Sequence, residues 1–263
     1  MSRQNYYAQR QERQRRKVDE ELVEALVEQE RALQPRIGTR KLHRMLQGAF
    51  QKAGIKIGRD RLFEILAARG LLVKRRRSPW PRTTKSRHCL PVFKNEIKGR
   101  QLNGPNQVWV SDLTYLRTEQ GYLFLSLITD QWSRKVVGYN AGDTLEAVGC
   151  IAALEGALAG LPAEARPIHH SDRGTQYCSH EYVDRLRARG LEISMTETNH
   201  CAENAMAERM NGILKDEYGL DQEFKTKEQA LRAVDQGVLL YNTRRPHTSL
   251  DYQIPEQVHT LAV

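Results

Sequence analysis

A mixed α/β domain preceded by an all-helical region is the fold class that this 263-residue chain predicts. Helical periodicity governs residues 19–70. From about residue 101 three strand-like runs follow one another across short turns, which predicts an antiparallel meander. Beyond residue 144 helical and strand-like segments alternate, which adds parallel strands and helices flanking the sheet. The expected organisation is a helical region over 1–73, a basic linker over 74–100 and the α/β core over 101–263.

Each element has its own signal. Residues 19–33 set Leu22, Ala25, Leu26 and Leu33 at helical spacing, and Pro35 closes that helix. Thr39 suits the N-cap of a second helix through KLHRMLQGAF, and Gly54-Ile55-Lys56-Ile57-Gly58 turns the chain. A third helix over 59–70 buries Leu62, Ile65 and Leu66 and ends at Gly70. Helix, short turn and helix, with Arg59 and Arg61 opening the second member, has the form of a helix-turn-helix whose arginines face a groove or phosphates. A small bundle with a solvated basic face has the same pattern. Segment 74–88, KRRRSPWPRTTKSRH, has seven Lys/Arg, no acid and two prolines; it cannot bury a core and reads as a linker laid along phosphates by Lys74, Arg75, Arg76 and Arg77. Trp80 within it stacks on a base or docks on the protein.

The strands are VWVSDLTYLR, GYLFLSLITD and RKVVGYNAG, joined at Glu119-Gln120-Gly121 and Gln131-Trp132-Ser133. A helix over 144–160 leads to a strand ending at Asp172. A helix over 179–190 leads to a short strand over 191–196, then come a helix over 203–218 and a last one over about 226–241.

Charge points to the partner. The chain carries 41 Lys+Arg against 32 Asp+Glu, a formal +9, and the basic residues are clustered, which favours a polyanion, with nucleic acid the commonest. No apolar run approaches 18 residues and no charged-then-apolar leader opens the chain, so the expected location is cytoplasmic, with no membrane partner. The 4 cysteines form no C-x-x-C pair, and free thiols are expected rather than a zinc site.

Three acids carry the chemistry. Asp112 interrupts one apolar strand, Asp172 ends another and Glu208 lies on a helix. A carboxylate in a buried strand is costly unless paired or bound to a cation, and two strands and a helix each offering one acid can build an open magnesium site. Thirty-five residues separate Asp172 from Glu208, and Asn204, Glu208 and Lys215 fall on one helix face. Carboxylates, a metal and a phosphate-binding lysine suit phosphoryl transfer on DNA.

The segments WVSDLTYL, HHSDRGTQY, CAENAMAERMNGILKDE and YNTRRPHTSL, in that order, resemble the core motifs of bacterial transposases of the insertion-sequence-three family, within the integrase group that uses an Asp-Asp-Glu triad on a ribonuclease-H-like fold. IGTRKLHRML with GIKIGRDRLFEILAARGLLVKRRR is similar to the helix-turn-helix region of that family's second-frame product, so the likeness runs from about residue 19 to 257. Glu203 stands where the family often has Asp, and TETNHCAEN departs from the usual approach to the Glu208 helix; neither touches the triad. The resemblance implies that Asp112, Asp172 and Glu208 hold two Mg2+ ions, with Mn2+ as substitute. It further implies nicking of double-stranded DNA at insertion-sequence terminal repeats, and joining of the freed 3′-hydroxyl to target DNA without a covalent protein intermediate. Partners implied are a second copy on paired ends and, as a frameshift fusion, the upstream frame product; the location implied is the bacterial nucleoid.

Other residues keep two readings. Lys215 and Asn204 are DNA contacts or ordinary helix-face residues, and Arg173 binds phosphate or solvates its loop. Arg244, Arg245 and His247 touch DNA or cap the final helix. Asp130 caps a turn, His169 and His170 pack or hydrogen-bond, Trp109 belongs to the core, and Gly174 supplies a positive φ after Asp172. Two other functions compete with the transposase: a non-catalytic DNA-binding module, and a structure-selective nuclease on the same fold.

Overall fold

The computed structural model describes residues 3–73, 89–197 and 203–261. The chain divides into two units, Met1–Arg77 and Ser78–Val263. In the first, α1 (Arg3–Leu33), α2 (Thr39–Lys52) and α3 (Arg59–Ala68) close on Val27, Ile37, Leu42, Leu62 and Leu66, all fully buried. The helix α1 starts sixteen residues before the expected Asp19, because Gln, Arg, Ala and Glu favour helix without leaving an apolar stripe to read. Gly54 and Gly70, at φ 71° and 69°, end α2 and α3, and the next amide of each returns to the helix: Ile55 to the Phe50 carbonyl at 2.8 Å, Leu71 to that of Leu66 at 2.7 Å. Thr39 is the first residue of α2 rather than its cap, which is Gly38.

The second unit is built on a sheet of order β3-β2-β1-β4-β5. The strands β1 (Val108–Thr118), β2 (Gly121–Asp130) and β3 (Val136–Gly142) form the antiparallel meander. β4 (Ile168–Ser171) pairs parallel with β1, and β5 (Ile193–Met195) parallel with β4. The two-residue β6 (Glu223–Phe224), absent from the sequence expectation, pairs with the far end of β1. This mixed sheet, flanked by helices, is the expected fold class.

The pleat sorts β1 between two cores. Trp109 and Leu113 face α4 (Ala147–Ala159) and α5 (His180–Ala188), where Cys150, Leu154, Tyr182 and Leu186 are fully buried. Leu116 faces α6 (Ala205–Glu217) and α7 (Lys227–Arg244), against Ile213, Leu214, Val234 and Tyr241. The helix α4 lies so close to β3 that a Cβ on Gly138 would stand 2.3 Å from the Ala153 carbonyl oxygen. A short helix α8 (Pro255–Leu261), also unexpected, brings His259 to Ser133 (Nδ1–Oγ 2.9 Å) in the turn after β2. That turn is capped by Asp130, fully buried, which accepts from the amides of Asn106 and Ser133 at 2.7 Å each.

Of the segment expected as linker, 74–88 lie outside the described residues, while 89–100 pack on the second unit. Leu90 and Phe93 join the α4–α5 core, and the Glu96 amide donates to Ser194 Oγ at 2.9 Å beside β5. Among the described residues no helix is long and apolar enough to cross a membrane.

Candidate active site

The register of β1 on β4 sets the site. Val108, Trp109 and Val110 lie opposite Ile168, His169 and His170, so two residues further on Asp112 comes level with Asp172, just past the end of β4. Two buried histidines fasten this region. His169 Nε2 lies 2.7 Å from Ser111 Oγ and 2.8 Å from Tyr182 Oη, and His170 Nδ1 lies 2.8 Å from Ser194 Oγ. Burial holds both neutral, His169 down at about 3 and His170 at about 4, so they serve as hydrogen-bonding struts rather than charges.

Asp112 is half-buried. Its Oδ1 accepts the Leu113 amide at 2.9 Å and its Oδ2 accepts Asn211 Nδ2 at 2.8 Å. Burial first, then the charge of Asp172, push its carboxyl up to about 7; the two hydrogen bonds oppose this and the charge of Glu208 adds slightly to it. Asp172 Oδ1 accepts the Gly174 amide at 3.0 Å. Gly174 does not have the positive φ expected of it; a Cβ there would lie 3.0 Å from Asp172 Oδ1 and from Gln176 Oε1, so crowding by these side chains, not backbone handedness, marks the position. Glu208 is exposed in the first turn of α6. The structure thus brings Asp112 and Asp172 together and leaves Glu208 at the rim. Among the described residues no three His, Cys, Asp or Glu side chains are grouped closely enough to hold a metal as they stand.

One face of α6 runs along β1 through polar contacts. Asn204 Nδ2 donates to the Ser111 carbonyl at 3.1 Å, Asn211 to Asp112, and Lys215 Nζ to Thr114 Oγ1. Asn204 and Lys215, expected as DNA contacts, are therefore interior: they are 3% and 4% exposed. Lys215 Nζ also sits 4.8 Å from the Tyr115 ring centroid. Burial lowers its ammonium to about 8 against the opposing pull of Asp112 and Asp221. Asn211 and Thr114 were missed in the sequence. The signal for Asn211 was its place three residues after Glu208, on the same helical face.

The remaining expected contacts lie elsewhere. Arg173 Nε donates to the Thr196 carbonyl at 2.6 Å. In the helical unit the exposed Arg59 pairs with Asp60 at 2.8 Å, and Arg61 reaches both Glu20 (2.6 Å) and Glu64 (3.0 Å). Lys74, Arg75, Arg76 and Arg77 fall outside the described residues. Arg245 neither reaches solvent nor only caps a helix: it is 2% exposed and forks onto Glu217 at 2.7 and 2.8 Å. Arg244 is exposed, and His247 Nδ1 lies 3.1 Å from Ser249 Oγ.

Comparisons with known proteins agree on one group. The family model described as "Integrase core domain" matches residues 103–201, and a second of the same description matches 189–255. The chain is 35% identical over 225 residues to the insertion element IS600 uncharacterized 31 kDa protein of Shigella sonnei, covering 83% of this chain and 82% of that one. It is 32% identical over 221 residues to the transposase for insertion sequence element IS629 of Shigella sonnei, covering 84% and 72%. To the transposase InsF for insertion sequence IS3A of Escherichia coli (strain K12) it is 34% identical over 194 residues, covering 73% and 67%. Among solved structures, a chain of the simian T-cell lymphotropic virus intasome, in complex with PP2A regulatory subunit B56 gamma, shares the fold at a TM-score of 0.52 and 21% identity, with 84% of this chain and 74% of that chain covered.

Proposed function

Since the chain belongs to the insertion-sequence transposases of the IS3 type, with their integrase core domain, we propose that it nicks the terminal repeats of its element and joins the freed 3′-hydroxyl to target DNA. Asp112, Asp172 and Glu208 are the residues proposed to act. The observation that carries this reading is the β1–β4 register that sets Asp112 level with Asp172, with the helix bearing Glu208 packed over β1.

The donor set fits a divalent cation. Two carboxylates share one place closely enough for Asp172 to raise Asp112, and all the candidate ligands are hard oxygens. Mg2+, with Mn2+ as substitute, is the ion proposed. When bound, it lowers the barrier by polarising the reacting phosphate and the oxygens that attack and leave. The protein's own part is to hold acids and DNA in place. Asp112 stands on β1 and Asp172 directly follows β4, so the register of the two strands brings them level. Glu208, exposed on the first turn of α6, would complete the acid set from the rim when ion and DNA arrive. Nicking forms a P–O bond to water and releases the 3′-hydroxyl; joining forms a P–O bond from that hydroxyl to the target and releases the target's 3′-oxygen. Neither step uses a side-chain nucleophile.

The Arg59 and Arg61 helix and the basic run Lys74–Arg77 are proposed to hold the duplex, with copies of the chain acting together on paired ends in the bacterial nucleoid. Arg173, beside Asp172, is proposed to steady a phosphate. A second reading, which the family resemblance implies, is an enzyme completed only as a frameshift fusion with the upstream frame product.

Strand joining on short duplexes bearing the flanking terminal repeats, with Mg2+, tests both. Joining by wild type and not by Glu208→Gln supports the enzyme. Salt-sensitive binding without joining, rescued by fusion to the upstream product, supports the second reading. Full joining by any triad variant removes that residue from the mechanism.

A further inference from the structure

We infer that Asn211 is a positioning residue for Asp112, a role that rests on the functional reading above. Its Nδ2 donates to Asp112 Oδ2 at 2.8 Å, and the Leu113 amide holds the other oxygen, so the carboxylate is fixed at both atoms. Asn211 is 6% exposed, and its Oδ1 is buried with no hydrogen-bond partner among the described residues.

A purely structural role predicts a different residue. The flanking positions on α6, Met210, Ile213 and Leu214, are buried and apolar and belong to the core beneath the helix. A leucine at 211 would extend that core and leave no orphaned acceptor. An amide is favoured only if its donor does something that packing cannot, and its one donated bond goes to Asp112.

Placement strengthens the case. Asn211 is three residues after Glu208, on the same face of α6. The bond to Asp112 therefore ties the helix carrying the third acid to the strand carrying the first. Asn204 and Lys215, bonded to Ser111 and Thr114 on either side of Asp112, keep the helix from sliding along β1. Holding Asp112 by its Oδ2 sets the direction of the lone pairs left for a cation. This is the role played by residues that orient metal ligands without touching the metal.

The test is Mn2+ binding to the full chain without DNA, followed by electron paramagnetic resonance, with the metal-free melting temperature as a check on folding. Asn211→Leu keeps the volume and removes the donor. It is expected to weaken Mn2+ binding by roughly 10- to 100-fold with little change in melting temperature. Should Asn211→Leu not fold, Asn211→Ser keeps a polar group too short to reach Asp112 and is expected to weaken binding likewise. Mn2+ affinity within about twofold of wild type in the folded variant, while Asp112→Asn abolishes binding, overturns the inference and leaves the functional reading standing. Unchanged binding in Asp112→Asn instead refutes Asp112 as a metal ligand, and with it both proposals.

Discussion

Asp112→Asn should make the metal-free protein more stable at pH 8, although it removes a proposed catalytic group. The carboxyl is pushed from its ordinary 3.8 up to about 7, by burial and then by Asp172. The native state therefore holds this proton more tightly than the unfolded chain does, so its contribution to stability falls as pH rises from 3.8 to about 7. Above that range the ionised group costs the folded state the whole shift, about 4 kcal/mol at 1.36 kcal/mol per unit. Asp112 is only half-buried and can relax, so about half of this is a reasonable expectation, ~2 kcal/mol. A neutral amide escapes the cost. It can keep the Leu113 amide on its oxygen and turn its own NH2 to Asn211, whose unpartnered Oδ1 becomes the acceptor once that side chain flips. For a unit of this size ~2 kcal/mol corresponds to a rise of about 4–8 °C in melting temperature. Thermal melts in chelator at pH 8 and pH 5 measure it, and the advantage should fall by about a third at the lower pH, where more of the wild-type carboxyl is protonated. Adding Mn2+ should reverse the order by stabilising only the wild type. A variant that melts at or below wild type in chelator at pH 8 would show that Asp112 is not destabilised by its surroundings.

Glu208→Gln should reduce strand joining by at least about 10²-fold while shifting stability by less than about 0.5 kcal/mol, since the side chain is exposed; comparable loss of fold would contradict its place at the rim. Glu217→Gln leaves Arg245, 2% exposed, with a buried and uncompensated charge, and should lower the unfolding free energy by about 3–5 kcal/mol. An unchanged urea midpoint would refute that pairing. Gly138→Ala puts a methyl group against the α4 backbone and should cost at least about 1–3 kcal/mol, measured by denaturant titration; wild-type stability would mean that α4 packs less closely on β3 than described.

Much of this was legible because local signals and tertiary demands agreed. The three meander strands read as apolar runs joined by short polar turns, and Asp112 and Asp172 stand out as charges in apolar runs. Elements with no local signal were missed: β6 is two residues long and α8 seven, and each exists because a neighbouring surface receives it. Lys215 was misread for a related reason. A lysine on a helix looks solvated until one knows that Thr114 and Tyr115 lie beneath it. Gly174 suggested a special backbone when the true constraint was crowding by Asp172 and Gln176. The extent of α1 was hidden because its first half has no apolar face.

The arginines of the helical unit have a consequence for how a duplex would be held there. Arg59, Arg61 and Arg69 already carry counter-charges from their own chain, in Asp60, Glu20, Glu64 and Glu24. A phosphate docking on α3 would displace a tethered carboxylate rather than leave an arginine newly neutralised, so the net attraction is smaller than three bare cations would give. Affinity through this surface should fall with salt less steeply than the slope of about 0.9 per phosphate contact that bare arginines would produce. A DNA contact through such a surface would discriminate by fit more than by charge, and would hold loosely to DNA that does not match it.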